Sequence, residues 1–256
     1  LAMASATLTG DYVRIYYNSN GLWHESGNGY QIRNGSGTFQ DVTFPGSPWQ
    51  AMTVEYTQSG SAYNYSGNYS GGSYGWSVRS ETNLSGGGFQ HISHVMDMGV
   101  LRVTKDESWA TDSPNVTLSF TVENTSGTRI DNFRLMHAFD PDQDYDSYGT
   151  HNTRNDLHSD RLYVEAVGSR SGWTVGYGVC DKDKQDVGST SWDADADTSF
   201  VDDGGSDQDR TIHWRHRETS IGPGEIIEFA GLLLYDTNAT NARNQYDDNK
   251  DELCDA

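Results

Sequence analysis

The chain has 256 residues, with 37 acidic against 17 basic side chains and a formal net charge of −20 at pH 7. No basic stripe is present to follow a phosphate backbone, which excludes nucleic acid as a partner. No apolar stretch approaches the roughly 20 residues that a membrane-spanning helix needs, so no membrane span is expected. The composition is rich in Gly, Tyr, Thr, Val and Trp and poor in helix formers, which suits pleated, half-buried strands. The expected fold is all-β: an antiparallel β-sandwich, one large domain with long Asp-rich loops.

Residues 1–6 read as the end of a secretion signal or a cloning remnant, since Ala4-Ser5-Ala6 has the small side chains of a signal cleavage site. Residues 7–237 form the sandwich domain and 238–256 an acidic C-terminal tail, a short helix or a linker. Residues 12–17 are a strand with Val13, Ile15 and Tyr17 on one face, and residues 50–56 are another. Residues 58–75 lack aliphatic side chains and are expected to be a surface loop or a weak edge hairpin. Their Tyr, Ser, Gly and Asn content also suits an adaptable contact surface.

A short strand at 99–104 follows. Val116, Leu118, Phe120 and Val122 then alternate with Thr117, Ser119, Thr121 and Glu123, the mark of an antiparallel strand with one wet face. The chain turns at 124–127 and returns through 132–139. Residues 161–167 and 173–179 form a second pair. A strand at 210–217, a Pro-Gly connection and an apolar strand at 226–235 close the sandwich.

The strongest chemical signal is Asp140-Pro-Asp142-Gln-Asp144-Tyr-Asp146, directly after the strand that ends at Phe139. Carboxylates at every second loop position can face one centre, and calcium takes six to eight hard oxygen ligands in irregular geometry. Asn155 and Asp156 follow and would complete the shell. A second run is Asp193-Ala-Asp195-Ala-Asp197. Both runs resemble the Asp-x-Asp-x-Asp opening of EF-hand-like calcium loops. They depart from it where Tyr145 or Thr198 replaces Gly and where His151 or Gly204 replaces Glu. The resemblance implies a calcium loop in a non-helical setting. Calcium is therefore the expected cofactor, stabilising long loops by binding only the folded chain.

Trp23, Trp49, Tyr65, Tyr69, Tyr74 and Trp76 are candidate platforms for sugar rings, whose C–H faces stack on aromatic side chains. The first functional expectation is a calcium-stabilised binding or adhesion module, extracellular or on the cell surface. Its ligand would be a glycan or other cell-surface group, and it would belong to a larger modular protein. The second is a polysaccharide lyase or hydrolase drawing on His91 and His94 with Arg79, Glu81 and Gln90. On a strand, however, two His three apart face opposite sides. No Gly-x-Ser-x-Gly elbow, phosphate loop, His-Glu-x-x-His or dinucleotide fingerprint occurs, which favours binding over catalysis. The third draws on Trp214 and His216, which share one face of a strand. Their Trp-x-His spacing is similar to that of methanotroph surface copper proteins, which implies copper held by an oxidised Trp and a His. Cys180 and Cys254, the two cysteines, are expected to form a disulfide tying the tail to the body.

Overall fold

A computed structural model describes residues 5–33, 37–43, 49–68 and 75–254, without the side chains of residues 68 and 254. The first strands are β1 (Ala6–Thr9), β2 (Val13–Tyr17), β3 (Tyr30–Arg33), β4 (Phe39–Asp41), β5 (Gln50–Gln58) and β6 (Ser61–Asn68). Next come β7 (Ser77–Asn83), β8 (Phe89–Met98), β9 (Leu101–Ala110), β10 (Val116–Asn124) and β11 (Ile130–Phe139). The single turn α1 (Tyr145–Tyr148) precedes β12 (Thr153–Leu157), β13 (Tyr163–Gly168), β14 (Thr174–Gly178) and β15 (Gln185–Thr190). The chain ends with β16 (Asp207–Gln208), β17 (Thr211–Ile221), β18 (Ile226–Asp236) and the helix α2 (Ala239–Cys254).

These strands build a nine-stranded sheet in the order β16-β12-β13-β14-β18-β10-β9-β8-β7. A five-stranded sheet, β15-β17-β11-β5-β6, and a four-stranded sheet, β1-β2-β3-β4, complete the fold. Every pairing between these strands is antiparallel. The two smaller sheets lie against the large one, and a single apolar cluster joins all three. Trp214 of β17 meets Phe120 of β10 edge-on at 5.5 Å, and Phe139 of β11 meets Tyr177 of β14 at 5.3 Å. The all-β antiparallel sandwich expected from the sequence is the fold observed.

The alternation in β10 is the clearest local cause. Its apolar positions face the core while the threonines and serine between them stay half-exposed. β9 repeats that pattern for ten residues with Lys105 and Glu107 in buried positions. It therefore runs well beyond the expected 99–104. The two charges remain inside as a pair: Lys105 Nζ lies 3.2 Å from Glu107 Oε1 and donates to the Gly21 carbonyl at 2.5 Å, while Glu107 Oε2 is buried without a hydrogen-bond partner. Trp23 Nε1 also donates to Glu107 Oε1, at 2.7 Å.

Two segments take one of their expected alternatives. Of the loop or edge hairpin expected at 58–75, the hairpin is observed as far as Asn68: the edge strand β6 pairs with β5 across a turn at Ser59 and Gly60, both left-handed with φ of 50° and 82°. In place of aliphatic burial, Tyr63 and Tyr65 lie flat against Tyr56 at 5.1 and 6.0 Å. The polar tail folds as α2 and docks on the outside of the large sheet through Ala242, Tyr246 and Leu253. The Tyr246 ring stacks on Tyr163 at 5.0 Å, and its hydroxyl donates to the Val179 carbonyl at 2.8 Å.

Candidate functional site

β11 and β17 are neighbours, with Phe139 opposite Ile212. The residues that leave β11 therefore lie beside those that enter β17. Asp140 and Asp142 come from the first group and Asp209 from the second. Their ligating oxygens all lie within 4.8 Å of one another. Among the described residues this is the one group of three acidic, His or Cys side chains placed closely enough to share an ion.

The backbone holds the loop firmly. The Asp140 N–H donates to the Trp49 carbonyl at 2.9 Å, and the Asp142 N–H to the Val42 carbonyl at 2.7 Å. Asp140 and Asp142 are both buried, and Asp209 is half-buried. One oxygen of each buried carboxylate is anchored. Trp192 Nε1 donates to Asp140 Oδ2 at 2.6 Å, and His151 Nδ1 lies 3.1 Å from Asp142 Oδ2. The other oxygens, Asp140 Oδ1 and Asp142 Oδ1, are buried without a hydrogen-bond partner, as is Asp209 Oδ1.

Burial is the main force on these acids. It raises Asp140 above the ordinary carboxylate range, with the Trp192 hydrogen bond opposing and Asp209 adding to the shift. It raises Asp142 as well, reinforced by the charges of Asp140, Asp209 and Asp41. Asp209 is raised by burial and eased downward by His151. Such a centre has two ways to be stable: hold a proton or hold a cation. Oxygen donors without thiolates suit a hard divalent ion such as calcium.

Other expected ligands go elsewhere. Asp144 turns away, because the chain bends into α1 after Asp142, and accepts the Arg170 N–H at 2.7 Å and the Ser171 N–H at 3.2 Å. Asp146 is exposed on α1. Asn155 is buried in β12 and accepts from Thr153 Oγ1 at 2.9 Å, while Asp156, on the other face, lies 3.9 Å from Arg243. The Asp193, Asp195 and Asp197 run does not converge. Ala196 packs inward with Met136 and Phe200, and Ala194 against Trp49, which turns the intervening carboxylates outward. Asp193 and Asp195 each accept the N–H two residues on, and Asp197 pairs with Arg134 at 2.9 Å. Asp195 instead shares a hydrogen bond with Glu55.

The aromatic expectation is corrected for Trp23, Trp49 and Trp76. All three are buried, Trp23 to 1% exposure, and offer no face to a sugar. Tyr65 is half-buried against Tyr56. Tyr69 and Tyr74 fall outside the described residues. The exposed tryptophan is Trp192, at 42% exposure, which the sequence reading passed over. Its only signal was its position directly before the second Asp run.

Trp214 and His216 do share a face, but it is the core face. Trp214 sits among Phe120, Tyr177 and Phe229, and His216 lies flat on Phe229 at 3.8 Å with its Nε2 3.3 Å from Glu218. Burial lowers His216 to about 4. His91 pairs with Asp106 at 3.1 Å, while His94 is fully buried beside Glu81 at 3.3 Å, so the two face opposite ways. Cys180 lines a cavity of about 150 Å³ with His216, Glu218 and Leu253, whereas the Cys254 side chain lies outside the described set, and with it the expected disulfide.

No protein-family model matches the sequence, and no curated protein does. Solved structures match in fold. The GH36 α-galactosidase AgaB of Geobacillus stearothermophilus is similar with a TM-score of 0.52 and 10% identity, over 95% of this chain and 42% of that one. A TPR-domain-containing protein from Parabacteroides distasonis is similar with a TM-score of 0.54 and 9% identity, over 93% of this chain and 48% of that one. The chain thus spans less than half the length of either protein. These likenesses define the class by fold alone: a large antiparallel β-sandwich.

Proposed function

We propose that this chain is a calcium-stabilised β-sandwich module that binds carbohydrate outside the cell. The observation that carries the calcium reading is the set of three carboxylates whose ligating oxygens lie within 4.8 Å of one another, each with one oxygen buried and unpartnered. Burying even one uncompensated carboxylate is costly. A divalent ion removes that cost for all three and leaves coordination positions for backbone oxygens or water. His151 and Asp209 are half-exposed, so the centre borders solvent on that side.

The carbohydrate reading is supported by fold-level analogy to the α-galactosidase. The extracellular placement is supported by the same chemistry, because a site with so few ligands suits the calcium levels of about 10⁻⁴–10⁻³ M that extracellular modules meet. Adhesion or membership of a larger modular protein belongs to this proposal too.

Isothermal titration of calcium into chelator-stripped protein tests the reading, with magnesium as the competitor. One site of micromolar to millimolar affinity, lost in Asp142→Asn, is the expected result. Full folding with no calcium uptake at millimolar ion would overturn it.

A further inference from the structure

The cation centre is bordered by an exposed aromatic side chain that its own ligand holds in place. Trp192 donates its indole N–H to Asp140 Oδ2 at 2.6 Å while its ring remains 42% exposed. Its backbone is left-handed, with φ of 36°, a conformation that costs energy in a bulky residue. The chain thus keeps a large apolar ring at the surface, and in a strained conformation, directly beside the three carboxylates.

An exposed tryptophan next to a partly coordinated hard ion matches one ligand chemistry closely. A sugar ring presents vicinal hydroxyl oxygens along an edge and a C–H surface on a face. The hydroxyls suit calcium, which takes six to eight oxygen ligands and receives only three carboxylates here. The C–H surface suits an indole face. The unpartnered, buried Oδ1 atoms of Asp140 and Asp142 are the independent sign that something binds at this point.

We propose that Trp192 and the cation held by Asp140, Asp142 and Asp209 together form a calcium-dependent site for a neutral sugar bearing a vicinal diol. The sugar replaces water on the ion and stacks on Trp192. This rests on the calcium reading above and adds to it the location and class of the ligand. Neutral sugars are favoured over uronates because Asp193 and Asp207 flank the site in the chain and the protein carries a net charge of −20. His151, a basic group beside the centre, is already engaged by Asp142.

The test compares the wild type with Trp192→Ala, Trp192→Phe and Asp209→Asn. Calcium binding is read by dye competition. Sugar binding is read on immobilised galacto-, gluco- and manno-oligosaccharides, with polygalacturonate as the anionic control, in calcium and in EDTA. The expected result is retention of at least one neutral glycan in calcium and none in EDTA. At saturating calcium, Trp192→Ala should weaken that retention about tenfold or more relative to Trp192→Phe, which loses the same indole N–H but keeps a ring. Trp192→Phe should recover part of the retention, and Asp209→Asn should lose both ligands. If the wild type takes up calcium but retains no neutral glycan, or retains it unchanged in EDTA or in Trp192→Ala, the sugar site is refuted and the calcium reading stands. If the wild type takes up no calcium, both fail.

Discussion

Asp209→Asn should have opposite effects on stability with and without calcium. In calcium, the variant loses one ligand of the ion. A site at a hundred times its Kd stabilises the folded chain by about 2.7 kcal/mol. In a domain of this size each kcal/mol shifts Tm by roughly 2–4 °C, so the wild type should lose about 5–10 °C on chelation. The variant should show little of that loss. In EDTA, removal of one carboxylate relieves repulsion among oxygens within 4.8 Å of one another. At an effective dielectric of about 20, two charges at that separation repel by on the order of 3 kcal/mol, and contact with solvent at Asp209 reduces this to about 1–2. The chelated variant should therefore melt above the chelated wild type. The pH dependence follows in sign. Burial raises Asp140 and Asp142, so the folded chelated chain holds their protons more tightly than the unfolded one. That contribution is present at acid pH and is lost as pH rises from about 4 toward and beyond neutrality. The gain from calcium should grow over the same window. Scanning calorimetry on both proteins at pH 5 and pH 8, in calcium and in EDTA, measures all of this. Equal destabilisation of the variant in calcium and in EDTA would refute the reasoning, for Asp209 would then be a structural residue only.

Glu107→Ala should cost about 3–5 kcal/mol by urea unfolding, because it strands the fully buried Lys105 ammonium and frees the Trp23 indole N–H. Gly178→Ala would drive a Cβ into the Tyr246 ring. It should cost about 1–3 kcal/mol and release α2 to limited proteolysis before the sandwich unfolds. Burial lowers His213 to about 3, among Met136, Thr211, Trp49 and Phe200. A depressed histidine adds stability above its unfolded pKa near 6.5 and loses it as pH falls below that value. Between pH 7.5 and 5.5, His213→Gln should therefore lose about 1.4 kcal/mol less than the wild type, and equal losses would contradict the assignment.

The fold was legible wherever one face of a strand is apolar and the other wet. Val116 to Val122 show this without ambiguity, and 132–139 follows from the turn before it. β9 was cut short because Lys105 and Glu107 do not look like core residues, although they pair with each other there. β6 stayed undecided between loop and edge hairpin because its packing comes from tyrosine stacking, for which aliphatic periodicity gives no signal. Asp140 and Asp142 were legible as alternate acids after a strand. Asp144 was misread because a bend into α1 ended the alternation. The Asp193 to Asp197 run failed for the converse reason: alternation persists there, but Ala194 and Ala196 take the inward positions. Asp209 was out of reach of local pattern, since only the pairing of β11 with β17 carries it to Asp142. Its signal was its place just before a strand, as Asp140 is just after one.

That pairing has a consequence for how the molecule comes apart. Asp142 and Asp209 bracket the whole stretch 143–208, which contains α1 and the strands β12 to β16. The ion proposed above, shared by the two ends, would be a reversible tie across a long excursion of the chain. Because the ion binds only the folded chain, it would hold that excursion closed by mass action and be lost as soon as either end leaves. Removal of the ion should speed hydrogen exchange at the two ends of that excursion, around 140–144 and 207–210, while β13 and β14, held in the large sheet and in the core through Tyr177, stay closed.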